Sequence, residues 1–261
     1  MQKFNYHSHT KRCGHAIGED EEYVLAAIAN GYTKMGFSDH APYRNGYAPG
    51  ERMHKEELDS YIESVKVLQE KYKDQIDIRI GLEFEYFEDQ LVELMEYKER
   101  MDYLIIGQHG PKLFEEEFYT RNDDEAVLLY ASLIEKACTK GLPDIIGHPD
   151  LFMFDKKEWT SACEEAAHRI VKAAVNANIP IEINLNGIHY GIRQIGNEKR
   201  VGYPYRKFWE VAAQYPVKVI YGLDAHKPEK YADVDAYHLV DEVLEGITLH
   251  KLEDLAFKKK L

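Results

Sequence analysis

Short apolar runs alternate with longer amphipathic stretches from one end of the chain to the other. The runs fall at 4–7 (FNYH), 33–39 (TKMGFSD), 76–85 (IDIRIGLEFE), 102–109 (DYLIIGQH), 143–149 (PDIIGHP), 180–186 (PIEINLN) and 217–226 (VKVIYGLDAH). Each is rich in β-branched or aromatic residues, the composition of strands covered on both faces. The stretches between them carry helical spacing. Within 56–72, Leu58, Tyr61, Ile62, Val65, Leu68 and Tyr72 recur every three or four residues. After Ser161, the stripe Cys163, Ala166, Ala167, Ile170, Val171, Ala174 and Val175 does the same. Asn122 to Glu125 and Ser161 to Glu164 read as helix starts, each a polar cap followed three residues later by an acid. Gly31, Gly141 and Asn178 read as helix ends.

Seven such β–α alternations with no Pro/Ser/Gly linker imply one parallel α/β domain over 1–261. Closed into a barrel, it would carry its active site where the strands end. An open doubly wound sheet is the alternative, although no G-x-G-x-x-G follows any run. The β–α rhythm has no residue-level period, so the chain is not a solenoid. Residues 185–205, rich in Gly, Tyr and Arg, read as a long functional loop.

Composition narrows the partners. The formal charge of −13 over 261 residues disfavours a nucleic-acid backbone, which needs basic surface. Cys13, Cys138 and Cys163 are odd in number and lack C-x-x-C spacing, so no disulfide framework is expected. With no signal-like N-terminus and no apolar run of membrane-spanning length, a soluble, cytoplasmic protein is expected.

The chemistry gathers where the runs end. The first gives His7, His9 and, further on, His15; the second Asp39 and His40; the third Glu83 and Glu85; the fourth His109. The fifth gives His148 and Asp150, and the seventh Asp224 and His226. Seven of the 12 histidines thus fall at one edge, while His54, His168, His189, His238 and His250 lie mostly in helical or loop stretches. On a strand His7 and His9 share a face, a ready clamp for a divalent ion. Imidazoles with carboxylates suit zinc, manganese or iron. The seven histidines with Glu83 and Asp224 make nine candidate ligands, which exceed the needs of one ion and suit two or three. Cys13 reads as a small, partly buried thiol rather than a ligand. Such a centre activates water and neutralises attacking and leaving oxygens, in phosphoester and in amide hydrolysis alike. A phosphate calls in addition for arginine forks, and the 185–205 loop offers Arg193 and Arg200 for substrate binding, with Lys199 and Arg206 nearby.

The pieces HSHT (7–10), FSDHAP (37–42), GLEFEY (81–86), QHG (108–110), GHPDL (147–151) and GLDAH (222–226) resemble, in order, the motifs of the PHP superfamily, the polymerase and histidinol phosphatases. The N-terminal HSHT, Cys13-Gly14-His15 and EEYV (21–24) resemble the histidinol-phosphate phosphatase subgroup. The resemblance implies a distorted (βα)7 TIM-like barrel with a trinuclear centre. His7, His9, Glu83 and Asp224 would hold the first ion, and Glu83 would bridge to a second held by His109 and His148. His15, His40 and His226 would hold the third, with Asp39 and Asp150 orienting imidazoles or acting structurally. It implies phosphomonoester hydrolysis, with Asp224 first and His226 second as proton shuttle to the leaving alcohol. L-histidinol phosphate, a histidine-biosynthesis intermediate, is the expected small-molecule substrate. Another small phosphate ester, such as a nucleotide or sugar phosphate, or a non-phosphate substrate are the alternatives. Two loops depart from the subgroup: GQHGPKLFEEEF (107–118) and LNGIHYGIRQIGNEKRVGYPYR (185–206). Those loops should meet the organic part of the substrate, with Glu115, Glu116 or Glu117 as counter-charges or simply a solvated acidic face.

Overall fold

All seven apolar runs form strands, joined in chain order into a parallel sheet. The computed structural model describes residues 1–43, 50–112, 115–121 and 123–260. The strands are β1 (Phe4–Asn5), β2 (Lys34–Phe37), β3 (Asp77–Phe84), β4 (Tyr103–Ile106), β5 (Ile145–Ile146), β6 (Ile181–Asn184) and β9 (Lys218–Gly222). Each is shorter than its apolar run, because the ends peel away to carry the polar residues. Two further pieces escaped the periodicity. An antiparallel hairpin, β7 (Arg193–Ile195) with β8 (Glu198–Arg200), lies inside the predicted loop, and β10 (His250–Lys251) pairs with the start of β9.

The sheet curls into a distorted TIM-like (βα)7 barrel, because each strand is followed by a helix packed outside it. The helices are α1 (Asp20–Ala29), α2 (Leu58–Lys71), α3 (Leu91–Arg100), α4 (Asp124–Thr139), α5 (Ser161–Ala177), α6 (Arg206–Ala212) and α7 (Val234–Val243). Gly31, Gly141 and Asn178 end their helices at positive φ (72°, 68° and 56°). The start read at Ser161 moves back one residue, where the Thr160 side chain accepts from Cys163 N. Asn122 lies outside the described residues, and Asp123 caps α4 by accepting from Ala126 N. Among the described residues no helix is long and apolar enough to cross a membrane.

Closure between first and last strands is not a continuous ladder. One parallel bridge, Ser8 to Ala225, joins them at the C-terminal edge. Below it, side-chain amides replace strand backbone. Gln2 Nε2 donates to Tyr221 O (2.7 Å) while Gln2 Oε1 accepts from Tyr221 N (3.0 Å), and Asn5 Oδ1 accepts from Leu223 N (2.9 Å).

Alternation along β4 separates two apolar layers. Leu104 and Ile106 join the large core under the helices, whereas Tyr103 and Ile105 join Phe4, Tyr6, Ile145 and Ile220 in a smaller cluster inside the barrel. C-terminal Leu252, Leu255 and Phe257 pack against that cluster, with Phe257 stacked on Tyr103 at 5.0 Å. Gly36 and Gly81 make the cluster possible, since a Cβ at either would overlap the Tyr103 ring or its hydroxyl. The opposite end of the barrel is polar.

Candidate metal centre and cavity

Glu83, at the end of β3, stands in the middle of the polar end and is 1 % exposed. Its room comes from β4's neighbour Gly107, where a Cβ would overlap Glu83 Oε1. Oε1 faces His148 Nε2 (2.9 Å) and His109 Nε2 (3.7 Å), while Oε2 faces His40 Nδ1 (3.1 Å), His9 Nε2 (3.4 Å) and His7 Nε2 (3.5 Å). Asp224 Oδ1 lies 3.0 Å from His9 Nε2 and 3.5 Å from His7 Nε2. His7 and His9 lie just past β1, but the Ser8 bridge keeps them extended and same-faced. His148 and Asp224 both sit at positive φ (25° and 46°), local strain of the kind found at functional sites.

Apart from the His148 Nε2–Glu83 Oε1 hydrogen bond, the contacts to Glu83 from His7, His9 and His40 are not ordinary hydrogen bonds. His7 Nε2, both nitrogens of His9, His40 Nδ1 and His148 Nδ1 are buried without a hydrogen-bond partner. Ligands at 2.0–2.2 Å around a tetrahedral ion are about 3.4 Å apart. The edges joining His7 and His9 to Glu83 and Asp224, 3.0–3.5 Å, match that spacing. His15 and His226 make the same point differently. Each donates Nδ1–H to a carbonyl, Cys13 O at 3.1 Å and Asp224 O at 3.0 Å. Their Nε2 lone pairs then face each other at 3.0 Å, which only a cation or a proton relieves. Among the described residues five overlapping trios have the geometry to hold an ion: His7, His9 and Asp224; His7, Glu83 and His148; His9, His40 and Glu83; His15, His40 and His226; and His9, Cys13 and His226.

Electrostatics follow from burial and mutual charge. Burial pushes Glu83 upward, but His7, His40 and His109 outweigh it and hold the carboxyl well below its ordinary value. Asp224 is likewise held low, by His7, His9 and His226 against burial. Burial lowers His9 to about 3 and His40 well below 6.5. His7 goes the other way, because Glu182, Asp224 and Glu83 outweigh burial.

The orienting groups are not the expected ones. Asp39 accepts from Thr10 N (2.7 Å) and Thr10 Oγ1 (2.9 Å), pinning the His9 loop. Asp150 Oδ2 accepts from Tyr205 N (2.6 Å) and Trp209 Nε1 (3.0 Å). Both aspartates are structural, and the imidazoles are oriented by other acids. Glu182 Oε2 lies 2.7 Å from His7 Nδ1, and Glu85 Oε1 lies 3.2 Å from His109 Nδ1. Arg52 grips both oxygens of Glu85 at 2.9 and 3.0 Å. Asn184 and Asn186 donate to Asp224 Oδ2 (3.2 and 3.3 Å), and Asn184 also donates to Glu182 Oε1 (2.7 Å). Glu182 and Asn184 alternate with Ile181 and Ile183 along β6, the available sequence signal that they face the barrel interior, and Asn186 follows just past the strand. Cys13 is fully buried, its thiol pushed up to about 12 by burial.

Arg200, expected at the phosphate, is bonded elsewhere in this structure. Its guanidinium donates to Val201 O, Gly202 O, Met153 O and Lys156 O at 2.8–2.9 Å and stacks over Tyr205. Arg193 stacks on Phe154 at 4.4 Å and pairs with Asp155 at 2.9 Å. Arg206 pairs with Glu210 on the outer surface. Arg193 and Arg200 clip the loop to the 151–157 segment, and among the described residues neither lines the cavity over the cluster.

That cavity, about 490 Å³, is of a size to hold a small metabolite. Its floor is His15, His40, Glu83, His109, Asp224 and His226, and its outer wall includes Glu51, Arg52, Glu117, Tyr119, His189 and Tyr190. Of the acidic run, Glu117 reaches the wall while Glu115 and Glu116 are exposed.

Known proteins share both sequence and shape. A probable histidinol-phosphatase of Deinococcus radiodurans is 29 % identical over 234 residues, 85 % of each chain. One from Schizosaccharomyces pombe is 26 % identical over 273 aligned positions, covering 93 % of this chain and 86 % of that protein. The crystal structure of histidinol phosphate phosphatase from Lactococcus lactis, complexed with zinc, L-histidinol and phosphate, superposes with a TM-score of 0.73 at 21 % identity, covering 96 % and 95 % of the two chains. The PHP domain model matches residues 5–186, more than half of the sequence, and the chain belongs to the PHP domain family.

Proposed function

We propose that this protein is a metal-dependent phosphomonoesterase that hydrolyses L-histidinol phosphate to L-histidinol and phosphate, a step of histidine biosynthesis. The observation that carries the reading is Glu83, one buried carboxylate whose two oxygens face five imidazoles, several with unpartnered nitrogens. Histidinol-phosphatase relatives that align over most of this chain support the substrate.

On this reading His7, His9, Glu83 and Asp224 would hold one zinc, manganese or iron ion. Glu83, His109 and His148 would hold a second, and His15, His40 and His226 a third. Bound there, divalent ions acidify water and neutralise the phosphoryl oxygens. The protein's own groups do the rest. Glu182 fixes the His7 ring and Glu85 the His109 ring, so that each presents Nε2 to the cluster. Asn184 and Asn186 hold Asp224 by Oδ2, which leaves Oδ1 turned toward His7 and His9. Asp224 is the first candidate to shuttle a proton to the leaving alcohol oxygen. His226, on the cavity floor, is the second candidate for that transfer. With Arg193 and Arg200 turned away, the phosphoryl charge is met by the centre itself. Three free cysteines accord with a cytoplasmic setting.

Phosphate release from a panel of monoesters, with zinc or manganese added, tests the reading. Histidinol phosphate should be preferred, p-nitrophenyl phosphate slower, and bis-p-nitrophenyl phosphate inert. His9→Ala and Glu83→Ala should abolish turnover with the circular dichroism spectrum kept. Full activity in either variant would remove the shared centre.

A further inference from the structure

Ser8 separates two proposed ligands and faces away from both. Alternation along the extended His7–His9 segment turns the imidazoles into the barrel and the Ser8 hydroxyl to its outer side, where it is buried. There Ser8 Oγ lies 2.8 Å from Tyr231 Oη and accepts from Asn5 Nδ2 at 2.9 Å. The same amide also donates to Tyr231 Oη (3.2 Å) and to His7 O (3.1 Å). Tyr231 belongs to the other side of the seam, on the short 3-10 helix Pro228–Ala232 that follows His226. Its ring is buried and meets Tyr32 edge-on at 5.0 Å, while the Tyr32 and Tyr237 hydroxyls lie 3.2 Å apart. Asn5, Ser8 and Tyr231 thus form a buried polar triad that crosses the seam just outside the centre.

The centre depends on that seam unevenly. At its C-terminal edge the backbones meet where His9 N donates to Ala225 O (2.9 Å) and Ala225 N to His7 O (3.1 Å). Two of the proposed ions would draw ligands from both sides, one from His7, His9 and Asp224, the other from His15, His40 and His226. The ion on Glu83, His109 and His148 would not, since β3, β4 and β5 are joined by direct strand pairing. We propose that the Tyr231 hydroxyl is a positioning group for the metal centre, holding the His7–His9 segment at the spacing from Asp224 and His226 that a shared ion needs. The inference rests on the metal-centre reading given above. With the hydroxyl in place, both sides stand at ligand spacing before an ion arrives. Without it, the ion must first gather them, and that cost comes out of its affinity.

The test compares the full-length wild type, Tyr231→Phe, Ser8→Ala and the double variant. Each is freed of metal, then titrated with zinc against a chromophoric chelator and with cobalt(II), whose visible absorption reports the geometry of the sites it enters. Tyr231→Phe should weaken the two seam-spanning ions about fivefold, the weight of one buried hydrogen bond, alter their cobalt spectrum and leave the third ion unchanged. Ser8→Ala carries the same prediction should Tyr231→Phe not fold. The double variant should lose no more than Ser8→Ala alone, because the Tyr231 hydroxyl acts through Ser8. A lower metal-free urea midpoint with zinc affinities and cobalt spectrum at wild-type values would make Tyr231 a stability residue and overturn the proposal. Equal weakening of all the ions, or additive losses in the double variant, would overturn it as well. Wild type that bound no zinc would overturn the metal-centre reading and this proposal with it. Wild type that bound zinc yet hydrolysed no monoester would overturn the phosphatase reading alone, and the affinities of the variants would still decide the role of Tyr231.

Discussion

Replacing Glu182 by glutamine should weaken zinc binding sharply although Glu182 touches no proposed ion. Glu182 Oε2 lies 2.7 Å from His7 Nδ1, Oε1 accepts from Asn184 Nδ2 at 2.7 Å, and His148 N points at the same oxygen from 3.4 Å. All three neighbours are donors. Asn184 cannot turn over, because its own Oδ1 accepts from Asn186 N at 2.8 Å. A glutamine therefore has no good orientation. With its NH2 toward His7, two donors collide, and the ring is driven to carry its proton on Nε2, where the ion needs a lone pair. With its NH2 toward Asn184, the clash moves there. Losing the outer partner of a ligating imidazole costs about 10–100-fold in affinity, or roughly 1.4–2.7 kcal/mol, and the enforced clash argues for the upper end. Competition with a chromophoric chelator would measure it, and metal-free thermal unfolding would show whether the fold survives. Zinc affinity within about twofold of wild type, with unchanged metal-free stability, would refute the tautomer argument.

Arg200→Ala should cost stability rather than catalysis, roughly 2–3 kcal/mol from four deprived carbonyls read as a lower urea midpoint. A tenfold rise in KM with stability intact would return Arg200 to the substrate. Tyr103→Phe removes the hydroxyl between Tyr6 O (2.6 Å) and Phe37 O (2.8 Å) and should cost about 1–3 kcal/mol, with Gly81→Ala costing at least as much by overlap with the ring. Neutral chemical denaturation profiles for either would sink the packing account of the barrel interior. For Glu85, burial alone would raise the pKa, but Arg52 and His109 outweigh it and bring it from 4.5 to about 2. The folded value is the lower one, so the stabilisation is present above pH 4.5 and is lost as pH falls toward 2. Metal-free wild type should lose on the order of 2 kcal/mol more than Glu85→Gln between pH 6 and pH 3. Parallel pH profiles for the two proteins would contradict it.

The strand ends were readable because the barrel rule converts sequence position into spatial convergence. His7, His40, Glu83, His109, His148 and Asp224 each follow an apolar run, and parallel strands bring such positions to one edge whatever their separation. What hid from the sequence was pairing across the barrel. His7 and Glu182 are 175 residues apart, and nothing local marks either as the other's partner. Arg193 and Arg200 misled for a related reason. Basic residues in a loop look free until the carbonyls of another segment, Phe154 O or Met153 O, are seen to take them. The Arg193–Arg200 hairpin was missed because three-residue strands on a half-exposed surface leave no hydrophobic alternation. Asp39 and Asp150 were placed correctly at strand ends, but their partners, Thr10 N and Tyr205 N, are backbone groups invisible to motif spacing.

The amide-laced seam between first and last strands bears on how this protein is made. Gln2 must find Tyr221 and Asn5 must find Leu223, contacts spanning 219 and 218 residues. During vectorial synthesis β1 has β2 as a nearby partner, but its other edge has no partner until nearly the whole of this sequence has been translated. Such long-range closure is slow, because its loop entropy is met before any contact rewards it. His7 and His9 stand on one lip of that seam, Asp224 and His226 on the other. An ion shared across it would act as a rivet, and capture of zinc would then report the moment at which the barrel shuts.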